Sequence, residues 1–262
     1  MSGDDPRKAY WNEKYFEYWK SRVEEAGHGK SVIVEGDSNT EDDSVYQRVF
    51  DSHTFRSGSL LEVGCAWGRM FPFYLAYGLR TTGSDISHAM VVAARKEWQE
   101  KEGIVDIVES PAERLPFADG SFDNLTCLAT LDATYQDRAI TEFLRVTRPG
   151  ARIIFTGKND HYFQDDKEAY RAEMGARAKK HPNFFTDTKH LIDLLSDQGH
   201  YIRALYCFPR RGDFARFRYV TTLNDRFYEF LVVIDRGNEY EALPSISDAY
   251  SKTFRELESA DE

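Results

Sequence analysis

Cysteine is scarce: Cys65, Cys127 and Cys207 are widely spaced and odd in number. They offer neither a disulfide framework nor the paired ligands of a zinc site, and reduced thiols are the expected reading. No run of about 18 apolar residues occurs, and no basic-then-apolar leader opens the chain, so a cytoplasmic location with no membrane partner is expected. Positive charge is also in deficit: 34 Lys and Arg face 44 Asp and Glu, a net charge of −10. Nucleic acid draws patches of Lys and Arg, so it is not an expected partner. The G-x-G-x-x-G of a dinucleotide loop is missing too, which argues against a nicotinamide enzyme.

What is present is an alternation of strand-like and helix-like segments. Strands are expected at 59–64, 80–85, 104–109, 122–128 and 151–157, with helices at 68–78, 88–101 and 135–147 between them. This alternation implies an α/β fold with a parallel, doubly wound sheet, whose ligand sits beyond the carboxyl ends of the strands. Two of those ends carry chemistry. Leu60-Leu61-Glu62-Val63-Gly64-Cys65-Ala66-Trp67-Gly68 closes an apolar run with an acid and two glycines. Gly83-Ser84-Asp85-Ile86 closes a second run, and Asp85 lies 23 residues after Glu62, about one strand-helix-strand unit. Glycines permit a tight turn and close backbone approach to a ligand. An acid at the second strand end accepts both hydroxyls of a ribose; alternatively, Asp85 or Ser87 caps the following helix.

The spacing Glu62-x-Gly64-x-x-x-Gly68 resembles the first motif of class I S-adenosylmethionine (SAM) dependent methyltransferases. Further stretches resemble later motifs of the same family, in its small-molecule branch. They are Glu113-Arg114-Leu115-Pro116-Phe117 through Asp123, Leu144 through Ala151, and Phe184-Phe185-Thr186-Asp187. The resemblance implies a Rossmann-like, seven-stranded, mostly parallel sheet whose last two strands, 201–208 and 227–235, pair antiparallel. Residues 1–55 would form an N-terminal helical cap on a domain of residues 56–262. A lid insert at 158–182 follows the fifth strand, and an extended loop spans 209–226. An aromatic helix at 8–26, a helix at 44–52, another at 186–198 and a final amphipathic helix at 245–259 complete the expected elements.

The resemblance also assigns residues. SAM would be bound by Glu62, Gly64, Cys65, Ala66, Gly68, Asp85, Ile86, Ala112, Glu113, Leu128 and Ala129. Pro111 stands where relatives place an Asp that accepts from the adenine amino group, so the Ala112 backbone, Glu113 or Ser110 must serve instead. Trp67 replaces a small loop residue and either covers the ligand or packs on the N-terminal helix. Asp132 and His161 are the candidate catalytic bases, with Asp132 alternatively capping the next helix. Tyr15, Tyr162, Arg210 and Arg211 are candidate acceptor contacts. Arginines crowd the stretch from Arg203 to Arg218, and guanidinium forks suit phosphate or carboxylate, so an anionic acceptor is one expectation and a solvated face the other. The expected reaction is methyl transfer from SAM to an O or N atom of a small molecule such as a sugar or glycoside, by a chain that can act as a homodimer. An RNA or protein methyltransferase and a non-catalytic SAM-binding protein are the alternatives.

Overall fold

A computed structural model describes residues 5–12 and 44–260. Its main sheet has seven strands in the order β3-β2-β1-β4-β5-β8-β7. These are β1 Ser59–Val63, β2 Arg80–Asp85, β3 Ile104–Glu109, β4 Phe122–Cys127, β5 Thr147–Lys158, β7 Tyr201–Phe208 and β8 Glu229–Asp235. The first five pair in parallel, and β8 runs antiparallel between β5 and β7. The expected Rossmann-like sheet with an antiparallel final pair is what the chain forms.

Burial follows the two-residue period of a strand. Leu61, Val63, Leu125, Cys127, Ile153, Phe155, Val232 and Ile234 face one side of the sheet. There they meet helix α5 (Gln136–Val146) and helix α7 (Thr188–Asp197) through Ala139, Ile140, Phe143, Leu191 and Leu195. Leu60, Ile154, Leu231 and Val233 face the other side. Packed on them are helices α2 (Ser44–Ser52), α3 (Phe71–Ala76) and α4 (His88–Trp98). Val45, Tyr46, Val49 and Phe50 of α2 are buried in this layer, so α2 is a wall of the domain and not part of a separate cap ending at residue 55.

Other boundaries moved for local reasons. Residues 66–70 make turns before α3, with Ala66 and Gly68 at φ of 48° and 82°, so the helix starts later than residue 68. β5 begins at Thr147, because the Arg148-Pro149-Gly150 stretch extends directly into the strand. The expected helix at 245–259 shortens to α8 (Lys252–Ala260), because Ser247–Asp248 instead pairs with Phe185–Thr186 as a small second sheet, β9 with β6. The insert after β5 carries helix α6 (Lys167–Ala178), with Asp166 accepting a hydrogen bond from Ala169 N–H at 3.1 Å as its N-cap. Of the aromatic N-terminal stretch, helix α1 (Pro6–Tyr10) and the two residues after it are described; Tyr15 and the rest of the expected helix, residues 13–26, lie outside the described residues.

Candidate active site

The carboxyl ends of β1, β2, β3, β4 and β5 open into one cavity of about 570 Å³. Helix α6, residues 5–12 and the 209–226 loop also line it, through residues such as Arg171, Trp11 and Phe214. The loop after β1 is shaped by backbone conformations that favour glycine. Gly64 has φ of 75°, and its N–H and that of Cys65 both donate to Ser84 O, at 2.8 and 3.0 Å. Ala66 N–H donates to Asp85 Oδ2 at 2.9 Å, which locks the β1 loop to the β2 end. Ser87 N–H donates to Asp85 Oδ1 at 2.8 Å. The cap of α4 is Ser87, whose Oγ accepts from Met90 N–H at 3.3 Å, so Asp85 is not needed for that task. Burial pushes the Asp85 carboxyl up to about 6, against the pull of its two backbone hydrogen bonds.

At the β3 end, Ser110 and Ala112 line the cavity and Pro111 does not. Ser110 Oγ is buried and has no hydrogen-bond partner among the described residues. Glu113 has three donors already: Arg7 Nη1 at 2.5 Å, Arg7 Nη2 at 3.2 Å and Tyr135 N–H at 2.6 Å. Arg7 is in turn held by Asp5 and contacts Ala133 O, so the N-terminal segment is tied both to the segment after β3 and to the segment after β4. Asn12 Oδ1 ties it to α4, accepting from Ser87 Oγ and Ala89 N–H at 2.8 and 3.1 Å. Tyr10 Oη meets His181 Nδ1 at 2.8 Å, which joins this segment to the insert after β5. Residues 5–12 and the insert thus share the roof of the cavity.

The β4 end holds Leu128, Ala129 and Asp132. Ala129 adopts φ of 49°, uncommon for a residue with a Cβ, and its N–H donates to Thr156 Oγ1 at 2.7 Å. Asp132 lies in a short 3-10 turn (Leu131–Ala133), and α5 begins without a side-chain cap, so the capping role is not what Asp132 does. Its Oδ2 pairs with Lys158 Nζ at 2.6 Å. Burial raises the Asp132 carboxyl, but the Lys158 charge and hydrogen bond outweigh that and hold it below the usual carboxylate range. Lys158, at the end of β5, also donates to Asn183 Oδ1 at 2.7 Å. Burial disfavours its charge, and Asp132 restores it, leaving the ammonium above its ordinary value.

Most of the residues named from sequence converge on this cavity: Glu62, Gly64, Cys65, Ala66, Asp85, Ile86, Ala112, Glu113, Leu128, Ala129, Asp132 and Arg211 all line it. Four others do not. A Cβ at Gly68 would stand 2.6 Å from the Phe71 ring and 2.7 Å from Trp98, so this glycine serves packing between two aromatics. His161 Nε2 is bonded to Glu256 Oε1 at 2.9 Å, away from the cavity. Tyr162 is fully buried and donates to Glu173 Oε2 at 2.9 Å. Arg210 is turned to Asp165 in a two-bond pair of 2.9 and 3.1 Å. Arg203 pairs with Asp235 on β8, so of the arginine cluster Arg211 alone lines the cavity. Trp67 lines the cavity, with its carbonyl accepting from Trp98 Nε1 at 3.0 Å. Sequence reasoning passed over Lys158, Arg69, Arg171, Lys179 and Phe214. The position of Lys158 at the carboxyl end of a parallel strand was a signal that could have found it.

Among the described residues no cluster of His, Cys, Asp or Glu could hold a metal, and no helix is long and apolar enough to cross a membrane. The comparisons with known proteins agree with the geometry. Residues 61–155 match the family described as a methyltransferase domain. The chain is 29% identical over 127 residues to the phosphatidylethanolamine N-methyltransferase of Cereibacter sphaeroides, covering 47% of this chain and 60% of that protein. It is 33% identical over 103 residues to the O-methyltransferase rstn1 of Aspergillus nomiae, covering 37% and 45%. The chain therefore spans about half the length of these curated relatives. In fold it is similar to geranyl diphosphate C-methyltransferase of Streptomyces coelicolor A3(2), with a TM-score of 0.62 at 16% identity over 90% of this chain and 100% of that one. The sheet order and the domain match agree: residues 61–155 match a methyltransferase domain, and the chain has the fold of solved methyltransferases.

Proposed function

We propose that the protein transfers a methyl group from SAM to an O or N atom of a small-molecule acceptor. The observation that carries this reading is the Asp85 carboxylate, recessed at the β2 end and bridged to the β1 loop through Ala66 N–H. A carboxylate there can still accept from a ribose diol, since each oxygen has two lone-pair directions. Ser110 Oγ stands ready as an acceptor for the adenine amino group, which Pro111 cannot serve and Glu113, held by Arg7, is not free to serve. Glu62, buried at the end of β1, faces the same cavity and suits the amino-acid end of the cofactor.

When bound, SAM supplies a methyl group on a sulfonium, an already activated leaving group, so the protein's task is positioning. Asp132 is ionised at neutral pH and can accept a hydrogen bond from an acceptor hydroxyl or amine. Its lowered proton affinity makes it a positioning group more than a strong base. The roof from residues 5–12 and α6 narrows access, which favours a small acceptor, a sugar or glycoside hydroxyl among them. The relatives' names divide among N-, O- and C-methyl transfer, so the choice of an O or N atom rests on Asp132 as a hydrogen-bond acceptor and not on the comparisons.

The test is calorimetric titration with S-adenosylhomocysteine (SAH), with NAD as the control, followed by an acceptor screen with methyl-labelled SAM. Micromolar SAH binding with no NAD binding, and label transferred to a small molecule, is the expected outcome. SAH binding with no transfer to any acceptor would favour a non-catalytic binding protein, and NAD binding in place of SAH would overturn the reading.

The roof makes a separate prediction. Arg7→Ala removes the clamp on Glu113 and should weaken SAH binding about tenfold, equivalent to ~1.4 kcal/mol. Unchanged SAH affinity in that variant would mean that residues 5–12 do not close over the cofactor.

A further inference from the structure

The acceptor side of the cavity has its own charge pattern. The inference drawn from it deepens the methyl-transfer reading and rests on it. Lys158 and Arg211 come from separate elements, the end of β5 and the 209–226 loop, and both line the cavity. Their common neighbour is Tyr228, whose phenol burial pushes up against the opposing pull of both charges. Arg211 is fixed in place: its backbone N–H donates to Asp166 Oδ2 and its Nη1 to Tyr228 Oη, each at 2.9 Å. Lys158 donates to Asp132 and to Asn183. An ammonium carries three N–H groups, so among the described residues one is left for a ligand.

The mouth repeats the pattern. Arg171 and Lys179, both exposed, line the cavity from α6 and the residue after it. Among the carboxylates that line the cavity, Asp132 is paired with Lys158 and Glu168 with Arg171. Over the whole lining six Lys and Arg meet six Asp and Glu, in a chain whose net charge is −10. A charge-balanced cleft in a strongly acidic protein opposes an anion less than the rest of the surface does. Asp132 keeps Lys158 charged inside the protein, where a lone ammonium would tend to lose its proton. Lys158 and Arg211 then present an ammonium and a guanidinium to the same cavity, two donors suited to a ligand oxygen group.

We propose that the acceptor carries an anionic head group, a carboxylate or a phosphate, which docks on Lys158 and Arg211. The anionic acceptor expected from the arginine-rich stretch thus keeps its chemistry but changes its residues. Arg210 and Arg203 are occupied elsewhere by Asp165 and Asp235.

The experiment titrates inorganic pyrophosphate and, separately, benzoate into the SAH-saturated protein at low ionic strength, where such contacts are least screened. Wild type should bind at least one of the two, and which one separates a phosphate site from a carboxylate site. Lys158→Met and Arg211→Gln should each weaken that binding by roughly tenfold or more, while SAH affinity stays unchanged. Lys158→Arg keeps the charge and the pairing to Asp132, so it should retain anion binding within about threefold and controls for misfolding. The proposal is overturned if neither anion binds to protein that binds SAH, or if both charge-removing variants bind the anion as wild type does. Loss of SAH binding in the wild type itself would instead overturn the cofactor reading, so the two failures are distinguishable.

Discussion

Asp85→Ala should lose SAH binding by on the order of 100-fold or more. Among the described residues the carboxylate is the one charged group at the β2 end that faces the cavity, and a hydrogen bond to a charged group contributes about 1.5–3 kcal/mol. Two such bonds to a ribose diol, lost together, account for an effect of this size. The variant also strips partners from Ala66 N–H and Ser87 N–H, which loosens the β1 loop. Asp85→Asn keeps the shape, but its amide nitrogen faces one of those N–H groups as a second donor, so a smaller loss is expected. An Asp85→Ala protein that binds SAH like the wild type would rule out the ribose assignment.

The same residue makes binding and stability respond to pH in opposite directions. Burial raises the carboxyl to about 6 in the folded chain, from 3.8 as the ordinary value. A carboxyl raised on folding contributes stability that is fully present below the unfolded value and is lost as pH rises through the folded one. Compared with Asp85→Asn, the wild type without ligand should therefore gain stability as pH falls from about 6 toward 4. The Asn variant is the right reference, because Asp132 and Asp235 are held below the ordinary range and push the whole-protein curve the other way. SAH affinity should move oppositely, weakening as pH falls through about 6, since the ionised form accepts from the ribose. Thermal melts of both proteins with and without SAH, at pH 5 and 7, measure both trends. A ligand-induced shift in Tm of equal size at the two pH values would separate Asp85 ionisation from binding.

The strand ends were legible in the sequence because each parallel strand is an apolar run cut off by residues with a distinct task. Glu62 and Gly64 stop β1, Asp85 stops β2, and Ala129 follows β4. Those residues act close to where they stand in the chain, so their spacing carries their role. The roof is different. Whether His161, Tyr162 or Arg210 reaches the cavity depends on partners 11 to 95 residues away, among them Glu173, Glu256 and Asp165. No local period encodes such pairings. Glu173 illustrates the point: it is a charged helix residue by sequence, yet it is buried and bonded to Tyr162, Ser251 and Arg177. That network consumes the tyrosine expected at the acceptor. Lys158 was missed for the converse reason: it sits at the junction between a strand and an insert, and only its pairing with Asp132 makes its position informative.

Gly64→Ala should destabilise the fold and disable the cofactor loop together. Gly64 holds φ of 75°, and a Cβ there would come within 2.3 Å of Thr130 Cγ2 and 2.4 Å of Thr130 Oγ1. A left-handed conformation costs a residue with a Cβ about 1–2 kcal/mol. Overpacking adds typically 1–3 kcal/mol more. Thr130 does not turn aside freely, because its Oγ1 donates to Leu128 O at 3.0 Å. The expected destabilisation is therefore roughly 2–5 kcal/mol by urea unfolding, a large part of a typical domain's stability. Relief has two routes, and each damages the site. If the β1 loop shifts, the Ala66 N–H to Asp85 bond lengthens and SAH binding falls. If the β4 end shifts, Ala129 and the Asp132–Lys158 pair move with it, and acceptor binding falls instead. Thr130→Ala in the Gly64→Ala background should recover part of the packing share, since Thr130 Cβ would still lie 2.7 Å from the new Cβ, and leave the conformational share, a non-additivity that a double-mutant cycle measures. A loss below about 1 kcal/mol with full SAH affinity would show that the loop tolerates a side chain at residue 64, and that the close approach of β1 and β4 ends is not what holds the cofactor loop in place.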